Sequence, residues 1–256
     1  MPLKIKRNNL TNPDTNTVLE VNNLYKSFGE KKVLQDFNMV LNPGENLVVL
    51  GKSGSGKSVL IKCIIGLIKP DKGSIKVLGS ELTELSYDEL ETIRGRVGFL
   101  FQSNALYDSM TIRENLEFPL RRHKLDLDKD EVNELVMEAL ENVKLPETVD
   151  MMPAELSGGM RKRVALARTL ILKPEIILYD EPTTGLDPIT GKEISNLMLE
   201  IQEKYKTSSI IISHDIYCVK IVANRIILLV DGKCYADGTY QELSSSNDSK
   251  IKQFFE

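Results

Sequence analysis

The fold of this 256-residue chain is decided by the stretch Gly51-Lys52-Ser53-Gly54-Ser55-Gly56-Lys57-Ser58. A nearly continuous apolar run, 46–50, precedes this stretch, and residues 57–67 follow it with a helical pattern. A strand, a loop and a helix in this order are typical of a parallel-sheet unit. Glycines let backbone N–H groups wrap closely around phosphates, and the helix start adds partial positive charge. The stretch therefore predicts the phosphate-binding loop of an α/β protein.

The last residues of this loop carry the predicted chemistry. Lys57 is placed to reach the β- and γ-phosphates of ATP, and Ser58 to place its hydroxyl on Mg²⁺. A plain glycine-rich turn before a helix would explain the glycines, but not Lys57 and Ser58 at this offset. We therefore predict that ATP and Mg²⁺ are the cofactors and that residues 51–59, the last of them Val59, bind the nucleotide.

Three further apolar runs, 97–101, 175–179 and 208–213, resemble buried strands. The polar residues that follow them are Gln102, the pair Asp180-Glu181 and His214. In open α/β sheets, ligands bind beyond the carboxyl ends of the strands. Because the phosphate loop also follows a strand, we predict that all four elements share one ligand.

The acidic pair and the histidine have ordinary interpretations beside the catalytic ones. Two adjacent carboxylates at a buried strand end are costly unless a cation needs them, which suits Asp180 to the Mg²⁺ shell. Glu181 is placed to orient or deprotonate the attacking water. Pro182 could instead begin a surface turn, and His214 could be a core or surface histidine. The phosphate loop favours the catalytic interpretation, in which His214 senses the γ-phosphate.

Composition limits the other classes of function. A hydrophobic content of 41% in 256 residues can bury a core. The net charge of −4 gives no strong positive field for a nucleic-acid backbone, so we expect no nucleic-acid partner. No apolar run approaches the roughly 18 to 20 residues that span a bilayer. The three widely spaced cysteines, set among apolar neighbours, are typical of reduced thiols in a cytosolic protein.

One nucleotide-binding domain is predicted to fill residues 18–243. Residues 1–17 are polar and lack periodicity, so we expect a flexible lead-in. Runs 18–24 and 33–41 predict an antiparallel pair, and Asp231-Gly232 predicts a hairpin turn between 225–230 and 233–237. Residues 103–160 are interpreted as an inserted helical subdomain, in which 128–143 carry one apolar face. Residues 244–256 form a tail whose Phe254 and Phe255 we expect to dock on the protein or on a second copy.

A second helix start lies about 100 residues after the first, in Leu156-Ser157-Gly158-Gly159-Met160. Ser157 is a plausible N-cap, and the free amides behind it form another anion-binding end. The first loop already occupies the phosphates of its own site. Two such ends in one chain make sense if the second faces a nucleotide held by another copy.

The order of these motifs, with Gly185-Leu186-Asp187 after the acidic pair, resembles the ATP-binding subunit of an ABC transporter. The resemblance covers residues 18–243 and implies a P-loop NTPase (RecA-like) core with an antiparallel β-subdomain and an inserted α-helical subdomain. It also implies a head-to-tail dimer in which Ser157, Gly158 and Gly159 meet the partner's γ-phosphate and Asp187 couples the two sites. Gln102 is expected to touch Mg²⁺. Phe28 is expected to stack on adenine, although it could be a core residue.

Finer features are similar to the ATPases of MCE-associated (Mla-type) lipid transporters. They are LSGGM followed by Arg161-Lys162-Arg163, the segment 101–111, Phe118-Pro119-Leu120-Arg121 and Asp187-Pro188-Ile189-Thr190. Most of the ABC family has Gln where this chain has Met160, so one polar contact is absent. The resemblance implies a membrane permease and MCE-type substrate-binding and accessory subunits as partners, with the chain peripheral on the cytoplasmic face of the inner membrane. The alternatives are three. These finer features could be ordinary variation in another ABC transporter, or the chain could be a soluble ABC ATPase or a membrane ATPase that signals without moving a substrate.

Overall fold

The computed structural model describes residues 17–123 and 126–255, so the predicted lead-in lies almost wholly outside the described residues. The strands are β1 (Leu19–Phe28), β2 (Lys31–Leu41), β3 (Asn46–Leu50), β4 (Lys72–Val77), β5 (Ser80–Glu81), β6 (Val97–Leu100), β7 (Ile176–Asp180), β8 (Ser208–Ser213), β9 (Arg225–Val230) and β10 (Lys233–Gly238). The helices are α1 (Lys57–Ile64), α2 (Tyr87–Gly95), α3 (Ile112–Arg122), α4 (Lys129–Asn142), α5 (Gly158–Leu170), α6 (Pro188–Tyr205), α7 (Ile216–Val222), α8 (Tyr240–Ser244) and α9 (Ser249–Lys252).

A six-stranded sheet in the order β10-β9-β3-β8-β7-β6 organises the site. The five strands from β9 to β6 run parallel, and β10 closes one edge antiparallel to β9. The strands β3, β8, β7 and β6 are consecutive neighbours, and each of the four predicted polar segments begins at the end of one of them. The α/β fold class predicted from sequence is confirmed, and the shared edge of the sheet brings these segments together.

Both faces of the central strands of this sheet are covered, which explains the continuous apolar runs in β3, β7, β8 and β9. In β3, Val48 and Leu50 belong to the core beneath α3–α7, whereas Leu47 and Val49 belong to the core shared with α1 and the second sheet. All four side chains are at most 1% exposed. Strand β3 is paired on one side with β8 and on the other with β9, and these two ladders fix the position of the phosphate loop that follows it.

The second sheet is antiparallel and has the order β2-β1-β4-β5. The predicted antiparallel pair is present, but its turn is shorter than predicted because Phe28 pairs with Lys31. Strands β4 and β5 were not predicted, and α1 ends at Ile64, three residues earlier than its pattern indicates. Gly66, at φ 72°, takes a left-handed conformation that stops the helix.

The interval between β6 and β7 contains α3, α4 and α5, as the helical pattern predicts. Helix α4 begins with a capping box in which Asp128 accepts from the backbone N–H of Glu131, and the Glu131 side chain accepts from Asp128. Its apolar face buries Val136, Ala139 and Leu140. The hairpin at Asp231-Gly232 has positive φ at both residues, as a type I′ turn requires.

The carboxy-terminal segment packs on the chain's own core. Ile251 is 1% exposed, and Phe254 and Phe255 pack against the core beneath the helices. The Phe255 ring meets the edge of Tyr240 at a centroid distance of 5.4 Å. Docking of the two phenylalanines is confirmed, on the protein itself. Among the described residues, no helix is both long and apolar enough to cross a membrane.

Candidate nucleotide site

A cavity of about 580 Å³ opens where the sheet, the phosphate loop and the tip of the second sheet meet. The predicted site residues that line it are Phe28, Ser53, Gly54, Gly56, Lys57, Ser58, Val59, Gln102, Glu181 and His214. Gly51, Lys52 and Ser55 lie in the loop around it, and Asp180 immediately precedes Glu181. Phe28, half exposed at the mouth, presents a ring on which a flat base could stack.

The phosphate loop has the geometry of an anion cradle. Gly56 is the residue before α1, at φ 110°, and no side chain caps the helix start. A Cβ on Gly56 would lie 3.0 Å from the Val33 carbonyl oxygen, and one on Gly51 would lie 2.7 Å from that of Leu229. The first turn of α1 contains no acidic residue. The free amides and the helix dipole therefore favour a bound anion.

Lys57 lies inside this cradle. Its side chain is 7% exposed, and its Nζ donates to the carbonyl oxygens of Gly51 at 2.7 Å and Lys52 at 3.1 Å. Burial lowers the pKa of Lys57, although nearby Glu181 and Asp180 oppose this shift. The bonds to Gly51 and Lys52 are to neutral oxygens, so a phosphate would be a stronger partner for the ammonium group.

Glu181 is held from both sides. Its Oε2 lies 2.8 Å from His214 Nδ1 and accepts from Thr184 Oγ1 at 3.2 Å, while its Oε1 lies 3.9 Å from Lys57 Nζ. Its backbone takes a left-handed φ of 52° and donates its N–H to Ile212 on β8. A non-glycine residue in this region costs on the order of 1 kcal/mol, and such strain is concentrated at functional sites. The strained turn aims the carboxylate toward the cavity.

Asp180 fits the binding of a cation. Its Oδ1 is buried and has no hydrogen-bond partner among the residues that the structure describes. Burial, and then the neighbouring Glu181, raise the pKa of Asp180. The buried Oδ1 of Asp180, the hydroxyl of Ser58 and the side-chain amide oxygen of Gln102 are all oxygen donors, the kind of ligand that Mg²⁺ prefers. The predicted magnesium ligands therefore fit the ion, although Asp180 does not itself line the cavity.

We expect Asp180→Asn to stabilise the nucleotide-free protein while it weakens Mg²⁺-dependent activity. A raised pKa means that the ionised carboxylate is less favourable in the folded than in the unfolded chain, so above its ordinary pKa of 3.8 the charge costs stability. Removing it should raise Tm by about 1–3 °C in EDTA at neutral pH, measured by thermal melting.

The matched control is Asp187→Asn. The hydrogen bond from Thr190 and the amides of Thr190 and Ile189 lower the pKa of Asp187, so its charge stabilises the fold. This variant should melt at a lower temperature than the wild type. A lower Tm for both variants would contradict the interpretation that the charge of Asp180 costs stability in the nucleotide-free protein.

The remaining predicted residues lie at two other helix starts. Ser157 caps α5, where its Oγ accepts from Met160 N at 3.2 Å, and Asp187 caps α6. The two starts touch, because a Cβ on Gly159 would lie 2.7 Å from Thr190 Cγ2. Ser157, Gly158 and Asp187 are exposed, and none of these residues lines the cavity. Within one chain, these two helix starts therefore lie apart from the residues that line the cavity.

The sequence interpretation missed three residues at the site. Lys31 and Val33 on β2 also line the cavity. Lys162 belongs to the basic run Arg161-Lys162-Arg163, yet its side chain is 2% exposed and lies near Asp180. Burial lowers the pKa of Lys162 to about 8. No signal local to these residues could have identified them, because their positions depend on how β2 and α5 pack.

The site and fold define an ATP-binding cassette, and comparison with known proteins agrees. The family model described as ABC transporter matches residues 34–184, so the chain belongs to the ABC transporter family. The resemblance to the ABC transporter family inferred from sequence is thereby confirmed. Dimers and a membrane permease partner are typical of this family.

Two curated relatives are similar over most of this chain. The probable ribonucleotide transport ATP-binding protein Mkl of Mycobacterium tuberculosis is 40% identical over 236 residues, 92% of this chain. This chain spans 66% of Mkl, slightly less than two thirds. The intermembrane phospholipid transport ATP-binding protein MlaF of Haemophilus influenzae is 37% identical over 237 residues, 93% of this chain and 89% of MlaF.

A solved dimer of an ATP-binding cassette in a post-hydrolysis state, with ADP and Pi, is similar in structure. It has a TM-score of 0.78 and 33% identity, and the match covers 86% of this chain and 98% of that one. This structural likeness covers more of the chain than the family model, which matches residues 34–184.

Proposed function

We propose that this chain is the ATP-hydrolysing subunit of a lipid transporter, most similar to the MCE-associated (Mla-type) transporters, and that it energises a membrane permease for phospholipid. The observation that supports hydrolysis is that Lys57, Glu181 and His214 meet at one cavity. Lys57 Nζ lies 3.9 Å from Glu181 Oε1, and His214 Nδ1 lies 2.8 Å from Glu181 Oε2. The domain limits predicted above, 18–243 with a helical subdomain at about 103–160, are part of this proposal.

The residues divide the work of hydrolysis. Mg²⁺, held by Ser58, Gln102 and Asp180, would neutralise charge on the phosphates. Lys57 and the loop amides bind the phosphates in a fixed orientation. Glu181 orients the attacking water and accepts its proton, and His214 holds the Glu181 carboxylate and contacts the γ-phosphate. Positioning and electrostatic stabilisation account for most of the catalysis of phosphoryl transfer.

The site would be completed by a second copy of the chain. Ser157, Gly158 and Gly159 are too far from their own cavity to line it, yet they present free amides at the start of α5. In a head-to-tail dimer these amides would meet the γ-phosphate of the partner's ATP. Asp187, on the helix that touches Gly159, would couple the two sites, so that ATP closes the dimer and hydrolysis reopens it.

An exposed aromatic surface is proposed as the place where the permease docks. Phe101 is 38% exposed, Tyr107 43% and Phe118 38%, and the rings of Tyr107 and Phe118 lie 4.9 Å apart. These residues fall in the segments that resemble Mla-type ATPases. Exposed aromatics in a cluster are typical of protein interfaces. The chain would thus sit peripherally on the cytoplasmic face of the inner membrane, beside MCE-type accessory subunits.

The names of the relatives favour two different substrates, ribonucleotide for Mkl and phospholipid for MlaF. The lipid proposal therefore needs a direct test. The experiment is to purify the chain from its native membranes through an affinity tag and to identify copurifying proteins and lipids by mass spectrometry. We expect a permease and a phospholipid enriched above the bulk membrane composition.

Tyr107→Glu should lose both the permease and the lipid, because it places a charge in the aromatic surface. Leu67→Glu is the matched control, since Leu67 is 53% exposed and lies in the turn after α1, outside that surface. Recovery of a permease without phospholipid would favour another transporter or a signalling complex. Recovery of no membrane protein would favour a soluble ABC ATPase.

A further inference from the structure

Two basic side chains of α5 bind the carbonyl oxygens of residues 102–105, which we call the Gln102 segment. Lys162 Nζ donates to Gln102 O at 3.0 Å. Six residues further along the helix, Arg168 Nη1 donates to Ala105 O at 2.7 Å and Nη2 to Asn104 O at 3.0 Å. The segment that carries Gln102 is therefore bonded at three of its four carbonyls to one helix.

The same segment has an unusual backbone. Asn104 and Ala105 take φ values of 65° and 52°, and so are two consecutive non-glycine residues in the left-handed region. Asparagine tolerates this region, but alanine is disfavoured there because of its Cβ. Such a conformation persists only where the surroundings hold it. The guanidinium of Arg168 bonds both of these residues, which identifies it as the group that holds them.

Lys162 is an equally specific contact. A lysine that is 2% exposed has lost its hydration, and this loss must be offset by the interactions of its ammonium group. Its surroundings contain the Gln102 carbonyl and the charge of Asp180. Lys162 thus lies between the ends of two neighbouring strands, β6 and β7, where two of the proposed magnesium ligands begin.

We propose that Lys162 and Arg168 are positioning residues that hold Gln102 in the cavity and tie it to the helix whose first turn meets the partner's nucleotide. Only the link to the partner's nucleotide rests on the proposed dimer; the positioning of Gln102 does not. Because α5 is one rigid element, a displacement of its start by the partner's nucleotide moves both cations. The Gln102 segment of one copy thereby responds to the nucleotide bound by the other.

The first test is hydrogen exchange at residues 102–106 of the nucleotide-free protein, which needs neither Mg²⁺ nor hydrolysis. Lys162→Met and Arg168→Lys should exchange this segment at least about fivefold faster than the wild type, since each loses charge-assisted hydrogen bonds. Arg163→Met is the matched control, because Arg163 lies on the same helix but pairs with Glu193 instead. Its exchange in the segment should stay at the wild-type rate.

The second test uses Ala105→Gly to separate positioning from general support. Glycine adopts a left-handed conformation without the cost that alanine carries. We expect Arg168→Lys to raise the Mg²⁺ concentration for half-maximal ATPase activity severalfold while ATP affinity in EDTA is unchanged. Adding Ala105→Gly to Arg168→Lys should reverse this shift in part. On a logarithmic scale of Mg²⁺ concentration, we expect at least half of the shift to be restored.

The inference would be overturned if Lys162→Met and Arg168→Lys both exchanged residues 102–106 at the wild-type rate, or if Arg163→Met raised this exchange rate equally. A double variant no better than Arg168→Lys alone would also overturn it. Absence of ATPase activity in the wild type would count against the proposed function, but it would leave the exchange result to decide the role of the two cations. Binding of ATP without Mg²⁺ would then verify that the cavity is intact.

Discussion

Glu181→Gln is expected to bind ATP, to stop hydrolysing it and to accumulate as a closed dimer. The amide has the shape of the carboxylate and can keep bonds to His214 and Thr184, which now contact Glu181 at 2.8 and 3.2 Å. It cannot accept a proton from water. A general base contributes typically 10²–10⁴-fold, so hydrolysis should fall by at least about two orders of magnitude.

The charge change should also favour the closed state. Glu181 Oε1 lies 3.9 Å from Lys57 Nζ, and Asp180 is adjacent in sequence, so the carboxylate adds negative charge where the γ-phosphate must sit. Removing that charge reduces the repulsion of ATP. We expect size-exclusion chromatography with ATP to show a dimer for Glu181→Gln and a monomer for the same protein with ADP.

Glu175→Gln is the matched control for this experiment. Glu175 lies just before the other end of β7, is 52% exposed and pairs with Arg96 on the surface. Exposed pairs of this kind contribute little, so activity should be unchanged. Normal turnover in Glu181→Gln would show that another residue activates the water.

Segments whose structure depends on their own residues were predicted well from sequence, and segments whose structure depends on distant partners were not. The bounds of β3 and β8 match the prediction, because each strand is built around a buried apolar run, 47–50 in β3 and 210–212 in β8, that is typical of a parallel strand covered on both faces. Strand β4, KGSIKV, was missed because it begins with lysine and glycine and depends for its structure on pairing with β1.

The same reasoning applies to the site. The loop around Lys57 and the acidic pair are local motifs, and their spacing was sufficient to predict their chemistry. Lys162 is different, because its neighbours in sequence, Arg161 and Arg163, are also basic and suggest a solvated face. Only the packing of α5 against the end of β6 places its ammonium group beside Gln102. Contacts between distant segments determine such roles, and no local pattern encodes them.

Mixing two inactive variants is expected to recover a working site, if each site takes Lys57 from one chain and Ser157 from the other. Lys57→Met removes the cation that binds the phosphates. Ser157→Arg places a bulky side chain at the exposed start of α5, where the structure leaves open space beyond Gly158. Both changes would be made in the Glu181→Gln background, and the ATP retained by the dimer after desalting would be counted.

In a mixed dimer of the two single variants, one site contains both defects and the other contains neither. Random pairing of equal amounts gives half mixed dimers, so about a quarter of the sites should retain ATP. Each variant alone should retain almost none. If Lys57 and Ser157 of the same chain formed one site, every site in the mixture would contain one defect and the mixture would also retain almost none.

A second mixture combines the double variant Lys57→Met/Ser157→Arg with the parent chain. Here, sites shared between chains should retain less ATP than sites confined to one chain. With sites shared between chains, each mixed dimer has one defect in each site, and only the parent dimers, about a quarter of the total, retain ATP. With sites confined to one chain, about half would retain it. Ala154→Arg, an exposed position three residues before Ser157, controls for the added charge and should leave ATP retention unchanged. The separation of Ser157 from its own cavity leads us to expect the quarter in both mixtures, because no single chain brings Lys57 and Ser157 to the same phosphate.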